Sequence, residues 1–365
     1  MLCACWRLPT LAEVSTSGGP VAKNPGFTPR AAVRRCGRRP VHANASRHSA
    51  LSYEHAGKIE AQLTAEVADL LAKAEAADQA DVPDGVSGLA CSASQFASRP
   101  SIPDELARRE ARLAKLAEAR AKIEARAKER FERERAEHQA KLAERAAKAE
   151  ATGKTPRGRP PQPPVEGPLP SDQINLTDEA SRIMPMAGGG FEQCYNAQAV
   201  VAAGSLLVVA IDVVQAANDK QQLEPMVEKL KAPPEELGKP ETFLADNGYF
   251  SAANVTACEA GNIAPLIATG RQAHHPSLAE RFAAAPAAPS DPTPVQAMAH
   301  RLKTPEGKKL YGLRKQVPEP VFGIIKSALG FRQFLLRGLD RVRGEWSLVT
   351  MAWNLKRMFV LCPSG

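Results

Sequence analysis

Two carboxylates, and the bases gathered around one of them, are the residues in this chain best suited to chemistry. Leu244-Ala245-Asp246-Asn247-Gly248-Tyr249 places an aspartate where a short apolar run (240–246) ends, and Gly248 allows the turn into a following helix. A carboxylate at the C-terminal end of a strand faces a crevice rather than the core, and a magnesium ion can be ligated there. A turn or cap aspartate follows the same pattern, so Asp246 alone decides nothing. Glu319 stands between Pro318 and Pro320 at the head of a helix-patterned stretch, 319–330. Glutamate is ordinary in a first helical turn, but its basic company is not. Arg314 precedes it, Lys326 follows two turns later on the same face, and Arg332, Arg337, Arg341 and Arg343 come next. Acids that hold metal and bases that hold backbone phosphates together suit phosphodiester chemistry.

Other candidates carry less. His274 and His275 are adjacent in a polar loop with no further ligand at metal spacing, which reads as solvent exposure. Gly188-Gly189-Gly190 suits either a phosphate contact or a flexible turn before a strand. The fragment GKTPRGRP (153–160) lacks the ending and flanking strand of a phosphate loop. Asp212, within a strand, and Asp219, at a helix start, read as structural. Trp346 and Trp353, seven apart on the last helix, read as core. The seven cysteines form no CxxC pair, which argues against a zinc site and for a reducing compartment. Cys194 and Cys258 have no nearby base to activate them.

The elements that must position Asp246 and Glu319 begin near residue 171. Residues 197–204 and 205–215 are β-branched runs separated by Ala-Gly-Ser, the pattern of a hairpin. Residues 219–231 have helical spacing at Leu223, Met226, Val227 and Leu230. Residues 251–261 form a helix capped by Ser251 and ended by Gly261, and 262–269 a buried strand. A polar, Pro-rich excursion follows at 271–300, then helices at 319–330 and 344–361. This order fits a mixed sheet covered by helices.

Upstream, composition divides the chain. Residues 1–40 hold Arg30, Arg34, Arg35, Arg38 and Arg39 among Gly and Pro with no period, and are expected to be a disordered leader. Residues 41–151 are helical. Ile59, Leu63, Val67 and Leu70 share one face, and Leu106, Leu113, Leu116 and Ile123 make a thin seam in an Ala/Arg/Lys/Glu-rich stretch. A linker at 79–103 lets the two fold back as an antiparallel, coiled-coil-like hairpin. An arm on DNA, a dimerisation coiled coil and a charged spacer all fit. Residues 152–170 are a Pro-rich linker, extended and mobile, and 171–362 the α/β domain. The net charge of +8 favours polyanions, nucleic acid above all. No uncharged apolar run reaches the roughly 18 to 20 residues of a membrane span, and the expected location is cytoplasmic.

Taken together, NLTDEASRIM (175–184), GGGFEQCYNAQAVV (188–201), ANDKQQLEPM (217–226), LADNGYFSAANV (244–255) and the run 313–358 resemble bacterial insertion-sequence transposases of the DDE class. VHANASRHSALSYEHAGKIEAQL (41–63) resembles them too, with the Ala/Glu/Arg helices as an insertion between the first two core strands. The resemblance implies an RNase H-like fold with a mixed sheet flanked by helices. It also implies metal-dependent strand cleavage and strand transfer on DNA at terminal inverted repeats, with Mg2+ or Mn2+ as cofactor. A homo-oligomer associated with the nucleoid is expected. Two aspartates and a glutamate hold the metals in such proteins. Carried over, Asp246 is the second aspartate and Glu319 the glutamate, and Tyr311, Arg314 and Lys326 match the residues flanking that glutamate. Arg332, Arg337, Arg341 and Arg343 would position phosphates, with Lys356 and Arg357 as additions. The first aspartate lies in a stretch like Asp-Gly-Thr-Lys-Ile directly before His-Ala-Asn-Ala-Ser. Here His42-Ala43-Asn44-Ala45-Ser46 follows Gly37-Arg38-Arg39-Pro40-Val41, with no acid. The usual N-terminal DNA-binding region is likewise not recognisable, and a truncated or frame-shifted start is expected. Asp178 is the candidate substitute acid, a turn or cap role being its alternative. Impaired catalysis follows, with a non-catalytic DNA-binding or oligomerising remnant, or a nuclease of the same fold, as alternatives.

Overall fold

A computed structural model describes residues 33–80, 101–153, 158–186, 188–231, 240–270, 287 and 289–362. Within the stretch expected to be a structureless leader, Val33–His42 forms strand β1, an interior strand of the main sheet. That corrects the expectation for residues 33–40, while 1–32 lie outside the described residues. A run with Gly37 and Pro40 among arginines has little strand propensity of its own; its neighbours make it a strand. It pairs antiparallel with β5 (Phe191–Ala202) over Arg34–His42, and parallel with β7 (Thr242–Ala245) over Val33–Arg35. Pro40 falls beyond the β7 pairing, where a missing N–H is tolerated.

The sheet runs β4-β5-β1-β7-β8, with β4 at Arg182–Pro185 and β8 at Ala264–Ile267. Strand β6 (Val208–Val214) pairs antiparallel with the second half of β5, and Gly204, at φ +90°, lies in their connection. The hairpin read at 197–215 is this pair, although β5 starts six residues earlier and β4 was not foreseen. Alternation along β5 sorts its side chains between two cores. On one face Tyr195, Ala197, Ala199 and Val201 meet Val321, Phe322 and Ile325 of α7 (Pro318–Ser327) and Trp346 and Trp353 of α8 (Leu339–Leu361). On the other, Cys36, Val200, Phe243 and Ile267 meet α3 (Leu223–Lys231), α4 (Ala252–Ala260) and Met298 of α5 (Pro294–Lys303).

Local signals explain most boundaries. Ser251 accepts from the Asn254 amide to cap α4. Helix α5 lies inside the excursion expected to be irregular, which is a correction for 294–300. Thr293 and Gln296 form a capping box with Pro294 in the first turn, so this proline starts a helix rather than breaking one. Helix α6 (Pro305–Gly312) follows directly. His274 and His275 lie outside the described residues.

Helices α1 (Tyr53–Ala80) and α2 (Ile102–Thr152) pack through Leu63, Leu116, Ala119 and Ile123. Tyr53 bonds Glu124, Arg120 pairs with Glu60, and Arg109 with Glu66. Partners advance in opposite directions along the two helices, which makes the pair antiparallel. A short ladder of β2 (Ala50–Ser52) with β3 (Gln173–Asn175) stands at its base. The described residues of the Pro-rich stretch, 158–170, make bonds along α2. Arg130 donates to the Gly167 carbonyl at 3.0 Å and Arg145 to that of Gly158 at 2.8 Å, and His138 Nε2 lies 3.2 Å from the Pro161 carbonyl. Among the described residues, no helix is long and apolar enough to cross a membrane.

Cys36, Cys194 and Cys258 are buried, while Cys362 is exposed. Burial pushes the Cys36 and Cys258 thiols up to about 12 and Cys194 up to about 11, leaving little thiolate to react. Brief iodoacetamide treatment of the folded chain, read by mass spectrometry, should therefore label Cys362 and spare these three until denaturant is added. Rapid labelling of Cys36 would contradict its place in the sheet.

Candidate functional site

Asp246 follows β7, whose four residues are all buried, and precedes a tight turn at Asn247–Tyr249. It is the residue before that turn, yet its side chain makes no capping bond. Glu319 lies in the first turn of α7, next to Pro318. Asp246 therefore does not play the cap role that its local sequence allowed, while Glu319 keeps the first-turn place that favours an acid. Both turn to one side chain. Arg35 Nη1 donates to Glu319 Oε2 at 2.8 Å, and Nη2 donates to Glu319 Oε1 at 2.9 Å and to Asp246 Oδ2 at 3.1 Å.

The strand order accounts for this meeting. β1 and β7 run parallel, with Arg35 opposite Leu244, so Asp246 emerges two residues beyond. Helix α7 packs on the same face, where an added Cβ on Gly37 would meet Pro318. Arg35 is 2% exposed, whereas the side chains of Asp246 and Glu319 are 52% and 46% exposed. The guanidinium thus forms the floor of the crevice and the carboxylates its rim. A fork–fork bond of this kind is charge-assisted and directional. Arg314 completes the rim: its Nη1 lies 3.9 Å from Asp246 Oδ1 and its guanidinium sits 4.4 Å from the Tyr311 ring centre. Burial raises the Tyr311 phenol above its usual pKa, and the Arg314 cation opposes this.

On the opposite face of β1, Arg38 pairs with buried Asp219 at 2.5 Å. Asn196 and Gln198 also donate to that carboxylate. Burial raises the pKa of Asp219, and these partners hold it down. Asp212 pairs with Lys229 and Arg343. Asp178, the candidate substitute acid, is placed elsewhere. It is buried and accepts from the Tyr195 hydroxyl at 2.8 Å and from the Gly338 amide at 3.2 Å. Tyr195 stands opposite Val41 and Val201 opposite Arg35. Six residues of strand, roughly 20 Å, separate them.

The bases are dispersed. Lys326 and Arg332 are exposed and line a small cavity with Arg39 and His42. Partial burial, Lys326 and Arg47 lower the His42 pKa. Arg341 is exposed. Arg337 donates to the Asn44 carbonyl, Arg343 to Asp212, and Arg357 to the Ser205 carbonyl. Arg35 itself was hidden in the supposed leader; its one signal was its position just ahead of the 42–46 run.

A family model described as "Transposase DDE domain" matches residues 160–355. The chain belongs to the DDE transposase family. Comparison with curated proteins and with solved structures returned no match. DDE transposase domains have an RNase H-like fold, and the mixed sheet with β1 antiparallel to β5 and parallel to β7 agrees with it. Strand β1 lies outside the matched span yet completes the centre of this sheet.

DDE transposases generally use divalent metals, and the residues present do not fit one. Gly37–Val41, the stretch before His42 in which the resemblance sets the first aspartate, contains no acid. The other two carboxylates are already bonded to a buried cation. Among the described residues, no group of three or more His, Cys, Asp or Glu is arranged to hold a metal.

Position 37 also lacks room. A Cβ there would lie 2.6 Å from Pro318 Cβ and 2.8 Å from Pro318 Cγ, and a proline ring cannot swing away. Gly37→Ala should cost about 1–3 kcal/mol in chemical denaturation; an unchanged midpoint would contradict this packing. Asp178→Ala leaves the Tyr195 hydroxyl and the Gly338 amide without their acceptor. It should cost about 2–4 kcal/mol by the same measurement, and a neutral outcome would contradict a structural role.

Proposed function

We propose that this chain binds DNA at the crevice bounded by Asp246 and Glu319 and is impaired in the strand cleavage and strand transfer of its family. One observation carries the reading: a single buried guanidinium, Arg35, is bonded to both acids, while the stretch before His42 where the first aspartate belongs contains no acid. Each carboxylate of a two-metal site offsets cation charge and fixes coordination geometry. With one acid gone and the remaining two engaged, that chemistry loses its support.

DNA binding has separate support. The family suggests it, and Lys326, Arg332 and Arg341 present exposed positive charge, the first two around a small cavity at the His42 end of β1. Arg35 and Arg314 offset Asp246 and Glu319, so the rim does not repel a phosphate as a bare acid pair would. Arg337 and Arg343 would have to leave Asn44 and Asp212 to reach DNA, which moves the main phosphate contacts to Lys326 and Arg332. The DNA in this reading is the terminal inverted repeat of an insertion-sequence element, bound by a homo-oligomer.

Gel shifts with an inverted-repeat duplex, alongside a nicking assay in Mg2+ or Mn2+, test both halves. Binding without metal-dependent nicking is expected. Nicking or joining would refute the impairment, and no binding would refute the DNA role. Lys326→Ala should weaken binding across sequences and lower the slope of log K against log salt by about 1.

A further inference from the structure

We infer that Arg35 acts as a resident cation, holding together without divalent metal the two acids that a metal would otherwise join. This rests on the reading of Asp246 and Glu319 as the family's metal-site acids. Two carboxylates facing one crevice repel each other unless a cation lies between them. Here Arg35 fills that role from within the sheet, with a bidentate bond to Glu319 and a third bond to Asp246. It is delivered by an interior strand and is itself 2% exposed. A ligand can dissociate, but this cation is part of the chain and cannot leave without opening the β1–α7 contact.

A metal site and a guanidinium site respond oppositely to loss of a carboxylate. In a metal-free site built for metal, neutralising one acid relieves repulsion and stabilises the fold. Where a buried arginine relies on that acid, neutralising it strands the cation and destabilises the fold. The geometry therefore gives a sign as well as a size.

The test is thermal unfolding of the full chain in EDTA, for the natural sequence and for Glu319→Gln and Asp246→Asn. Melting should fall by roughly 5–10 °C for Glu319→Gln, which removes the anion and turns one of two acceptors into a donor facing the guanidinium, and by less for Asp246→Asn. A rise in melting temperature for either variant would overturn the inference. Should a variant not fold, the natural chain still decides. Its melting temperature should be the same in EDTA and in millimolar MnCl2, whereas a clear Mn2+-dependent rise abolished by EDTA would overturn the inference. Failure to bind DNA would sink the functional proposal and leave this one standing.

Discussion

A charge buried in a protein interior must be paired, and the Arg35 guanidinium meets that condition by drawing in two acids from distant parts of the chain. Asp246 lies 211 residues away in sequence and Glu319 lies 284 away. The three share one point because β1 runs between β5 and β7 while α7 lies across the same face. Strand pairing, the packing of Pro318 on Gly37, and the entry of α7 all converge on this contact. A second arginine of the same strand, Arg38, is satisfied on the other face by Asp219. The most arginine-rich strand is thus tolerated because two of its arginines meet carboxylates.

How far the site was legible depended on which forces each element answers to. Asp246 and Glu319 were readable because local chemistry marks their places: an apolar run ending in an acid and glycine, and a proline at a helix start. Strands β5 and β6 declare themselves by β-branched runs, β7 and β8 by short apolar runs, and helix α4 by Ser251 and Gly261. β1 does not, because only Val33 and Val41 within Val33–His42 favour extended backbone and Gly37, Pro40 and four arginines separate or flank them; two flanking strands impose it. Helix α5 was missed for a different reason: it begins inside a polar, Pro-rich stretch, although Thr293 and Gln296 there are a helix-start signal. Arg35 could not be recognised as a site residue before β1 was recognised as a strand.

The helical pair and the catalytic-type domain are held by different means. The domain has apolar cores on both faces of the sheet and a smaller cluster around Val33, Leu244, Leu266 and Tyr311. The pair of α1 and α2 has a thin seam and relies on paired charges across it, with the Pro-rich stretch bonded along α2. Half-buried pairs of this kind, still screened by solvent, contribute modestly each, and the short apolar seam around Leu63, Leu116 and Ile123 adds the buried contact between the two helices.

X-ray diffraction from crystals soaked in Mn2+, with anomalous differences collected near the manganese edge, bears most directly on the nature of the site. The account predicts no anomalous peak between the carboxylates of Asp246 and Glu319, and density for the Arg35 guanidinium in contact with both. A manganese peak bridging those carboxylates, with Arg35 displaced, would contradict it.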